Sequence, residues 1–333
     1  KNKTYHSIYM KAIKILTMAA LATVVFASCS NEDELAQSNY PADNVVRIMT
    51  SVDGMNTRAS YGSSTAKLSS FGICINNASN AKYTYDNIKV TQEGSNWNPA
   101  TQMLWQNSTT AVDILAYAPY QDGNNGIFGK TDYAFSVQED QNKADDYSSD
   151  LIVYKQTGFT PGTELNTSKA VEVSFTHLLS QLNLTIELRD QFNQDEKNPV
   201  TAGFVTDVKV NGTIISSKVD FAAASIGVQV DGTQEATAIT PETTEFKAAG
   251  KTTDHATFNY SAIVIPQTVT TGNFSISFKV DGSDYIWTAT SDVKFVSGMK
   301  HELHLLVGKD VVQGGTISAT PWGDGGTGSL ETD

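Results

Sequence analysis

Short apolar or alternating runs, separated by turn-forming dipeptides, are the feature of this sequence that most restricts its fold. Runs of this kind at about 8 to 12 residue spacing, without helical periodicity between them, are typical of antiparallel β-structure. The sequence therefore predicts an all-β protein. The predicted strands form two series, residues 45–52, 71–75, 88–90, 112–118, 133–137 and 151–154, and then 171–175, 182–188, 205–210, 214–219, 262–265, 274–280, 285–289 and 303–307.

Asn-Gly and Asp-Gly dipeptides mark the tightest predicted turns, because both tolerate the positive φ angles of type I′ hairpins. Asn211-Gly212 predicts a hairpin over residues 208–215, and Asp281-Gly282 predicts another over residues 278–287. Residues 155–169 show no apolar periodicity and contain several turn residues. We interpret that stretch as the boundary between two tandem antiparallel β-sandwich domains, residues 44–165 and 166–333, each long enough to bury its own core.

The first 28 residues have the pattern of a lipoprotein signal peptide. Lys11 and Lys14 precede an apolar run at residues 15–26, and small residues lead to Cys29. The apolar run is short for a membrane span, so it predicts an export signal that is cleaved. We expect the mature chain to begin at Cys29 and to carry lipid there. An ordinary secretory signal that is cut elsewhere is the alternative.

Residues 29–43 form an acidic tether after the lipidation site. The cluster at residues 30–34 resembles the surface-export signal of lipoproteins in some Gram-negative anaerobes, which implies an outer membrane lipoprotein exported to the cell surface. A solvated, extended tether explains the same composition. Loss of residues 1–28 removes four lysines and no acids, so the formal net charge of −13 becomes −17. Nucleic acid is therefore excluded as a partner.

The mature chain contains few groups that catalysis would need, and we expect neither an enzyme nor a metal or cofactor site. With Cys29 acylated, Cys74 has no partner for an intramolecular disulfide, and its apolar surroundings predict a small buried hydrophobe. His301 and His304 lie three residues apart in a strand-like run, which sends their rings to opposite faces and does not suit zinc. The glycine-rich residues 323–328 do not open a helix, so they form no phosphate cradle.

Four segments, taken in order, resemble the fimbrillin family, the type V pilus subunits of anaerobic Gram-negative bacteria. These segments are Asn-Thr-Arg-Ala at 56–59, Trp97 and Trp105 followed by Val-Asp-Ile-Leu-Ala-Tyr-Ala-Pro at 112–119, the Phe-Thr-His177 run within 171–184, and Thr-Ile-Ser-Ala-Thr-Pro-Trp-Gly at 316–323. The aromatic residues in them are equally well explained by core packing. The resemblance implies transthyretin-like or Greek-key sandwiches and a fimbrial location after processing.

The resemblance also implies assembly with other pilin subunits by donor-strand exchange, in which a strand of one chain completes the sheet of another. The predicted first strand, residues 44–52, would be released when an arginine-specific surface protease cuts after Arg58. Arg47 is the alternative cleavage site, although a cut there divides the strand. The predicted donor lies within residues 310–322, with four apolar plugs: Val311, Val312, Ile317 and Ala319.

Two alternatives remain open at the level of sequence. The chain is a tip or anchor subunit of the same pilus, or it is a monomeric surface lipoprotein that binds glycans. In the second case exposed aromatic residues would stack on sugar rings, and the candidates are Trp97, Trp105, Trp287 and Trp322. A host or bacterial surface receptor is a further partner consistent with adhesion.

Overall fold

The computed structural model of the chain describes residues 39–52, 67–192, 199–249 and 255–322, and almost all of its regular structure is β, as the sequence predicts. One short helix, α1 (Pro161–Glu164), and 3-10 turns at Ala81–Tyr83, Ile127–Gly129 and Asp190–Phe192 lie between strands. The strands are β1 (Ile48–Val52), β2 (Ser70–Asn76), β3 (Tyr85–Glu93), β4 (Asn96–Pro99), β5 (Val112–Ala118), β6 (Tyr133–Ser136), β7 (Ile152–Phe159), β8 (Val171–His177), β9 (Ser180–Leu188), β10 (Val205–Asn211), β11 (Ser216–Asp220), β12 (Gly227–Val230), β13 (Glu242–Lys247), β14 (Ala256–Val264), β15 (Gln267–Val269), β16 (Ser275–Val280), β17 (Ser283–Thr288), β18 (Val293–Phe295), β19 (Met299–Gly308), β20 (Val311–Gly314) and β21 (Ser318–Pro321).

A seven-stranded sheet is built mainly from the first half of the chain. Its strand order is β1-β8-β7-β5-β2-β3-β4, and its two edge strands, β1 and β4, contact each other. The sheet therefore curls around a core of its own. That core includes Val46, Leu68, Met103 and Trp105, which lie on connecting segments and fill the space between the strands.

The two central strands of this sheet, β2 and β5, are buried on both faces. Ile73 and Ile114 point into the core of the seven-stranded sheet, whereas Cys74 and Leu115, the next residue of each strand, point into a second core. Continuous burial on both faces explains why β2 and β5 read as apolar runs in the sequence, while β8 alternates strictly. The same two strands thus join the two cores.

The second core lies among four smaller sheets from the rest of the chain. A six-stranded sheet has the order β13-β14-β9-β19-β20, with β21 also paired to β19. Two three-stranded sheets, β10-β16-β17 and β12-β11-β6, and the pair β15-β18 complete the layer. Side chains from these strands and from one face of β2 and β5 meet in a single hydrophobic cluster. The arrangement is that of stacked β-layers, consistent with a sandwich.

Strand pairing is largely antiparallel, with two exceptions that the sequence pattern did not predict. β1 runs parallel to β8, and β9 runs parallel to β19. The predicted boundary stretch is also more regular than expected, because β7 continues to Phe159 and α1 follows it. β8, the first strand after residue 165, pairs with β1 and β7 in the seven-stranded sheet. The division into two tandem domains at residues 165 and 166 stays a prediction.

One predicted hairpin is confirmed and the other is wrong. β16 and β17 pair around Asp281 and Gly282, both with positive φ. β10 and β11, by contrast, leave Gly212 for different sheets, since β10 pairs with β16 and β11 pairs with β12 and β6. Gly212 has φ +92, and a Cβ there would lie 2.0 Å from the backbone oxygen of Asn273. Gly212 thus permits two backbone segments to approach closely and does not form a hairpin turn.

A cross-strand cluster of charged side chains lies around Glu187 in the six-stranded sheet. The Glu187 carboxylate contacts His255 Nδ1, and its second oxygen lies 2.7 Å from His304 Nε2. His255 Nε2 lies 3.0 Å from Asp190 Oδ1. The hydrogen bond to Glu187 raises the pKa of His255 above its ordinary value of 6.5. Burial tends to raise the pKa of Glu187, but the two histidines outweigh it and the pKa is lowered.

We expect Gly212→Ala to destabilise the protein by about 2–4 kcal/mol, because alanine is strained at positive φ and its Cβ collides with the Asn273 carbonyl. Gly282→Ala is the matched control, since Gly282 also has positive φ (+78) but has no atom within 4 Å of the added Cβ. The control should lose about 1 kcal/mol. Chemical unfolding curves of both variants measure the difference. Equal losses would show that the close approach at Gly212 contributes nothing.

His255→Gln should lower stability by up to about 1 kcal/mol in a pH-dependent way. Folding favours the protonated form of His255, so its contribution is complete below pH 6.5 and is lost as the pH rises through the higher pKa of the folded state. Thermal unfolding from pH 5.5 to 8.5 should therefore show the largest difference from wild type at the acidic end. A difference that stays constant with pH would contradict the charged interaction.

Candidate functional site

The leading strand β1 forms one edge of the seven-stranded sheet. Ile48 and Val52 are buried in the core beneath it, whereas Met49 between them is 46% exposed. The register runs in parallel from Ile48 opposite Val171 to Val52 opposite Phe175. The sequence predicted a first strand over residues 44–52, and its earlier part instead bridges residues 103–105, where Trp105 N donates to Asn44 O (2.8 Å). β1 is thus an edge strand whose side chains Ile48 and Val52 fill part of an apolar core.

β8 relies on β1 for most of its backbone pairing. On its other side it pairs with β7 only at His177 and Thr176, opposite Ile152 and Val153. Val171, Val173 and Phe175 are fully buried beneath β1, and Phe175 packs edge to face on Phe71 with ring centroids 5.3 Å apart. Removal of β1 would therefore leave an unpaired strand edge beside an apolar trough.

The C-terminal segment, residues 310–322, lies at an edge of the six-stranded sheet. β20 and β21 pair antiparallel with the two ends of β19, one after the other, and residues 315–317 connect them. The four side chains predicted as apolar plugs differ in how far they are buried. Val312 and Ile317 pack against the second core, Ala319 is half-buried on β21, and Val311 is 44% exposed. The predicted donor thus forms two short edge strands, β20 and β21, which pair with β19 of the same chain.

A buried aromatic contact anchors the end of the C-terminal segment. Trp322 is 2% exposed and its ring stacks on His177 at 4.1 Å between centroids, with an interplanar angle of 3°. His177 Nδ1 is hydrogen bonded to Asp150 Oδ1 at 2.9 Å, and both side chains are buried. His177 is thus a structural, hydrogen-bonded residue. Its contact with Trp322 joins residues 145 positions apart, so no local pattern could reveal it.

Two of the four tryptophans are too buried to form the sugar-stacking platforms that the glycan-binding alternative requires. Trp105 and Trp322 are each 2% exposed, which rules out stacking on an external ligand for these two. Trp97 is half-buried and packs edge to face on Phe71 at 5.1 Å. Trp287 supports the backbone of β20, because a Cβ on Gly314 would lie 2.1 Å from its Nε1. Core packing explains these side chains.

Arg58 and Cys29, the predicted processing and lipidation sites, lie outside the described residues. Arg47, the alternative cleavage site, lies just before β1. Its guanidinium contacts Asp43 at 2.6 Å, and the hydrogen bonds from Arg47 lower the pKa of that carboxyl to about 2. A cut after Arg47 would separate β1 from the segment that bridges residues 103–105.

The described residues contain no group of three or more His, Cys, Asp or Glu side chains arranged to bind a metal ion. His301 is buried and His304 is exposed, as the alternation of a strand predicts. Burial raises the pKa of the Cys74 thiol to about 12, which makes it a poor nucleophile at neutral pH. Within the same part of the chain, no helix has the length and apolar character needed to cross a membrane.

Comparisons with known proteins agree with this architecture. The fold resembles that of a candidate cell adhesion protein from Bacteroides uniformis (18% identity, 85% of this chain and 99% of that chain, TM-score 0.53). A candidate cell adhesion protein from Bacteroides ovatus (15%, 85% and 99%, TM-score 0.59) and a fimbrial protein from Bacteroides vulgatus (16%, 84% and 99%, TM-score 0.53) are also similar. No curated protein matches the sequence.

The family comparison covers Arg58, the described residues after β1, and Trp322. The family model described as Fimbrillin-like matches residues 57–322, which is most of the sequence. The match includes the four plugs of the C-terminal segment and the whole of β8, and it ends at the buried Trp322. The chain therefore belongs to the Fimbrillin-like family.

Proposed function

We propose that this chain is a pilus subunit that serves cell adhesion and polymerises by donor-strand exchange after loss of its N-terminal segment. The observation that carries the proposal is the position of β1. It is an N-terminal edge strand that inserts Ile48 and Val52 into a core and supplies most of the backbone pairing of β8. Membership in the Fimbrillin-like family makes the chain a structural protein and not an enzyme.

The chemistry of the β1 groove suits replacement by another strand. Once β1 leaves, the backbone groups of residues 171–175 on that side need new partners, and the apolar side chains beneath become exposed. An incoming strand supplies main-chain hydrogen bonds, while its alternate side chains enter the pockets that Ile48 and Val52 vacate. The exchange therefore restores both the ladder and the burial.

The C-terminal segment is the donor in this proposal. It lies at an edge, pairs with β19 over short stretches, and carries Val311, Val312, Ile317 and Ala319. Because the chain has both a removable leading strand and a terminal edge segment, we assign it to the subunits that receive and give a strand. Export as a lipoprotein acylated at Cys29, cleavage after Arg58 by an arginine-specific surface protease, and binding of a surface receptor belong to the same proposal.

Cleavage after Arg58 should convert the monomer into polymer. We expect treatment with an arginine-specific protease to yield a chain that begins at Ala59 and forms oligomers resistant to denaturant. Arg58→Lys should stay uncut there and monomeric, whereas Arg47→Lys, the matched control, should behave as wild type. N-terminal sequencing and size separation in denaturant measure both steps. A correctly cut protein that remains monomeric would refute the exchange mechanism.

A disulfide that fixes the C-terminal segment should block assembly without blocking cleavage. Glu302 and Ser318 are exposed partners on β19 and β21, and directly opposed residues lie close enough for a cross-strand disulfide. The variant Glu302→Cys/Ser318→Cys should be cut normally, remain monomeric when oxidised, and polymerise at least tenfold more after reduction. Each single cysteine variant is a control. Polymerisation of the oxidised double variant would exclude the C-terminal segment as donor.

A further inference from the structure

We propose that β1 controls the C-terminal segment through β8: while β1 is paired, β8 holds His177 in place to bind Trp322, and loss of β1 releases Trp322 and the segment with it. This inference rests on the proposed function, in which β1 is the part removed. It adds an order to the two events, because the donor becomes available only after the leading strand has gone.

The first step is the dependence of β8 on β1. Residues 171–175 pair with β1 in five consecutive positions, and within the described part of the chain their other backbone edge has no strand partner. Ser51 Oγ adds a hydrogen bond to Ser174 Oγ (3.0 Å). Without β1, only the two pairs at Thr176 and His177 tie β8 to its sheet. We therefore expect the loss of β1 to loosen β8 directly next to His177.

The second step is the position of His177, which is the last residue of β8. Its Nδ1 lies 2.9 Å from Asp150 Oδ1, which fixes the ring. One face of the ring stacks on the indole of Trp322, with 4.1 Å between the ring centroids. The chain beyond it is tied to the turn before β19, where Gly298 N donates to Leu179 O (2.8 Å) and Ser297 Oγ to Leu178 O (2.6 Å). A shift of β8 would therefore displace the His177 ring relative to Trp322, whose backbone is bonded to Gly298.

The third step is that Trp322 is the anchor of the C-terminal segment. Of residues 310–322, all of which the structure describes, only Trp322 is fully buried. Its backbone N–H donates to Gly298 O (2.8 Å). Burial of an aromatic side chain contributes far more than the exposed or half-buried positions of β20 and β21. Loss of this contact removes the largest single interaction of the segment.

The rest of the segment is seated loosely. Between Gly314, which lies against Trp287, and Trp322 at the far end, residues 315–317 cross a cleft of about 690 Å³. The opposite wall of the cleft includes Trp287, Asp292 and Lys294. Once Trp322 is free, the pairing of β20 and β21 with β19 and the half-buried side chains of Val312 and Ile317 are what hold the segment.

Hydrogen exchange measured on the uncleaved chain tests this coupling without protease or polymer. Ile48→Asp places a charge in the core beneath β1, and Met49→Asp places the same charge on the adjacent exposed position of the same strand. We expect Ile48→Asp to accelerate exchange of the backbone amides of residues 311–314 and 318–322 at least tenfold, while β9 and β14 stay protected. Met49→Asp should match wild type.

A second variant checks that the effect passes through the latch formed by Trp322 and His177. Trp322→Ala should release the segment by itself, so that adding Ile48→Asp accelerates its exchange no further. Faster exchange in β8 but not in residues 311–322, or effects of the two substitutions that multiply, would overturn the coupling. If Ile48→Asp also exposes β9 and β14, the smaller change Ile48→Ala replaces it and is judged by the same two criteria.

The outcomes separate the coupling from the proposed function. Exchange of residues 311–322 is a property of the monomer, whereas polymer formation is measured after cleavage. A segment that opens in Ile48→Asp, together with cut protein that never polymerises, would refute donor-strand exchange and leave the coupling standing. Normal polymerisation, together with exchange of residues 311–322 that does not change in Ile48→Asp, would refute only the coupling.

Discussion

Among the described residues, positions 171–175 of β8 have a strand partner only on the side of β1, and the proposed behaviour of the chain follows from that dependence. A strand that is buried on one face and has lost its main partner exposes unpaired backbone groups, which makes it a template for another strand. The structure thus requires an edge partner that its own sequence places near the N-terminus. In the proposed function, removal of that partner leaves an open strand edge that a strand of another subunit fills.

The interior of the fold explains how an edge can be lost without general unfolding. β2 and β5 lie at the centre of the seven-stranded sheet and are buried on both faces, so Ile73 and Cys74, or Ile114 and Leu115, belong to different cores. Neither core can separate without exposing these strands. Cys74 is the free cysteine of the described residues, and packing replaces covalent links there. Stability is therefore highest at the centre and lowest at the edges, where the proposed exchange takes place.

Sequence periodicity predicted the class of structure and most strands, because burial on one or both faces leaves a direct pattern in the residues. It could not identify strand neighbours. The parallel pairings of β1 with β8 and β9 with β19, and the passage of Gly212 between two sheets, depend on which segments meet in space. The same limit applies to the candidate site. The sequence pointed to residues 44–52 and 310–322, but the contact of His177 with Trp322 joins distant segments and left no local pattern.

β1 and the C-terminal segment both contact β8, and in the proposed mechanism this topology explains why the uncleaved chain stays monomeric. A segment tethered to its own subunit competes at an effective concentration of about millimolar or higher, so an identical site on another copy cannot displace it by mass action alone. In the proposed mechanism, the exchanged state must therefore bury more apolar surface than the segment buries on its own subunit. Val311 is 44% exposed on its own chain, and burial of that remaining fraction contributes about 1 kcal/mol. A groove vacated by Ile48 and Val52 offers that burial together with a continuous ladder, and it exists only after β1 has left.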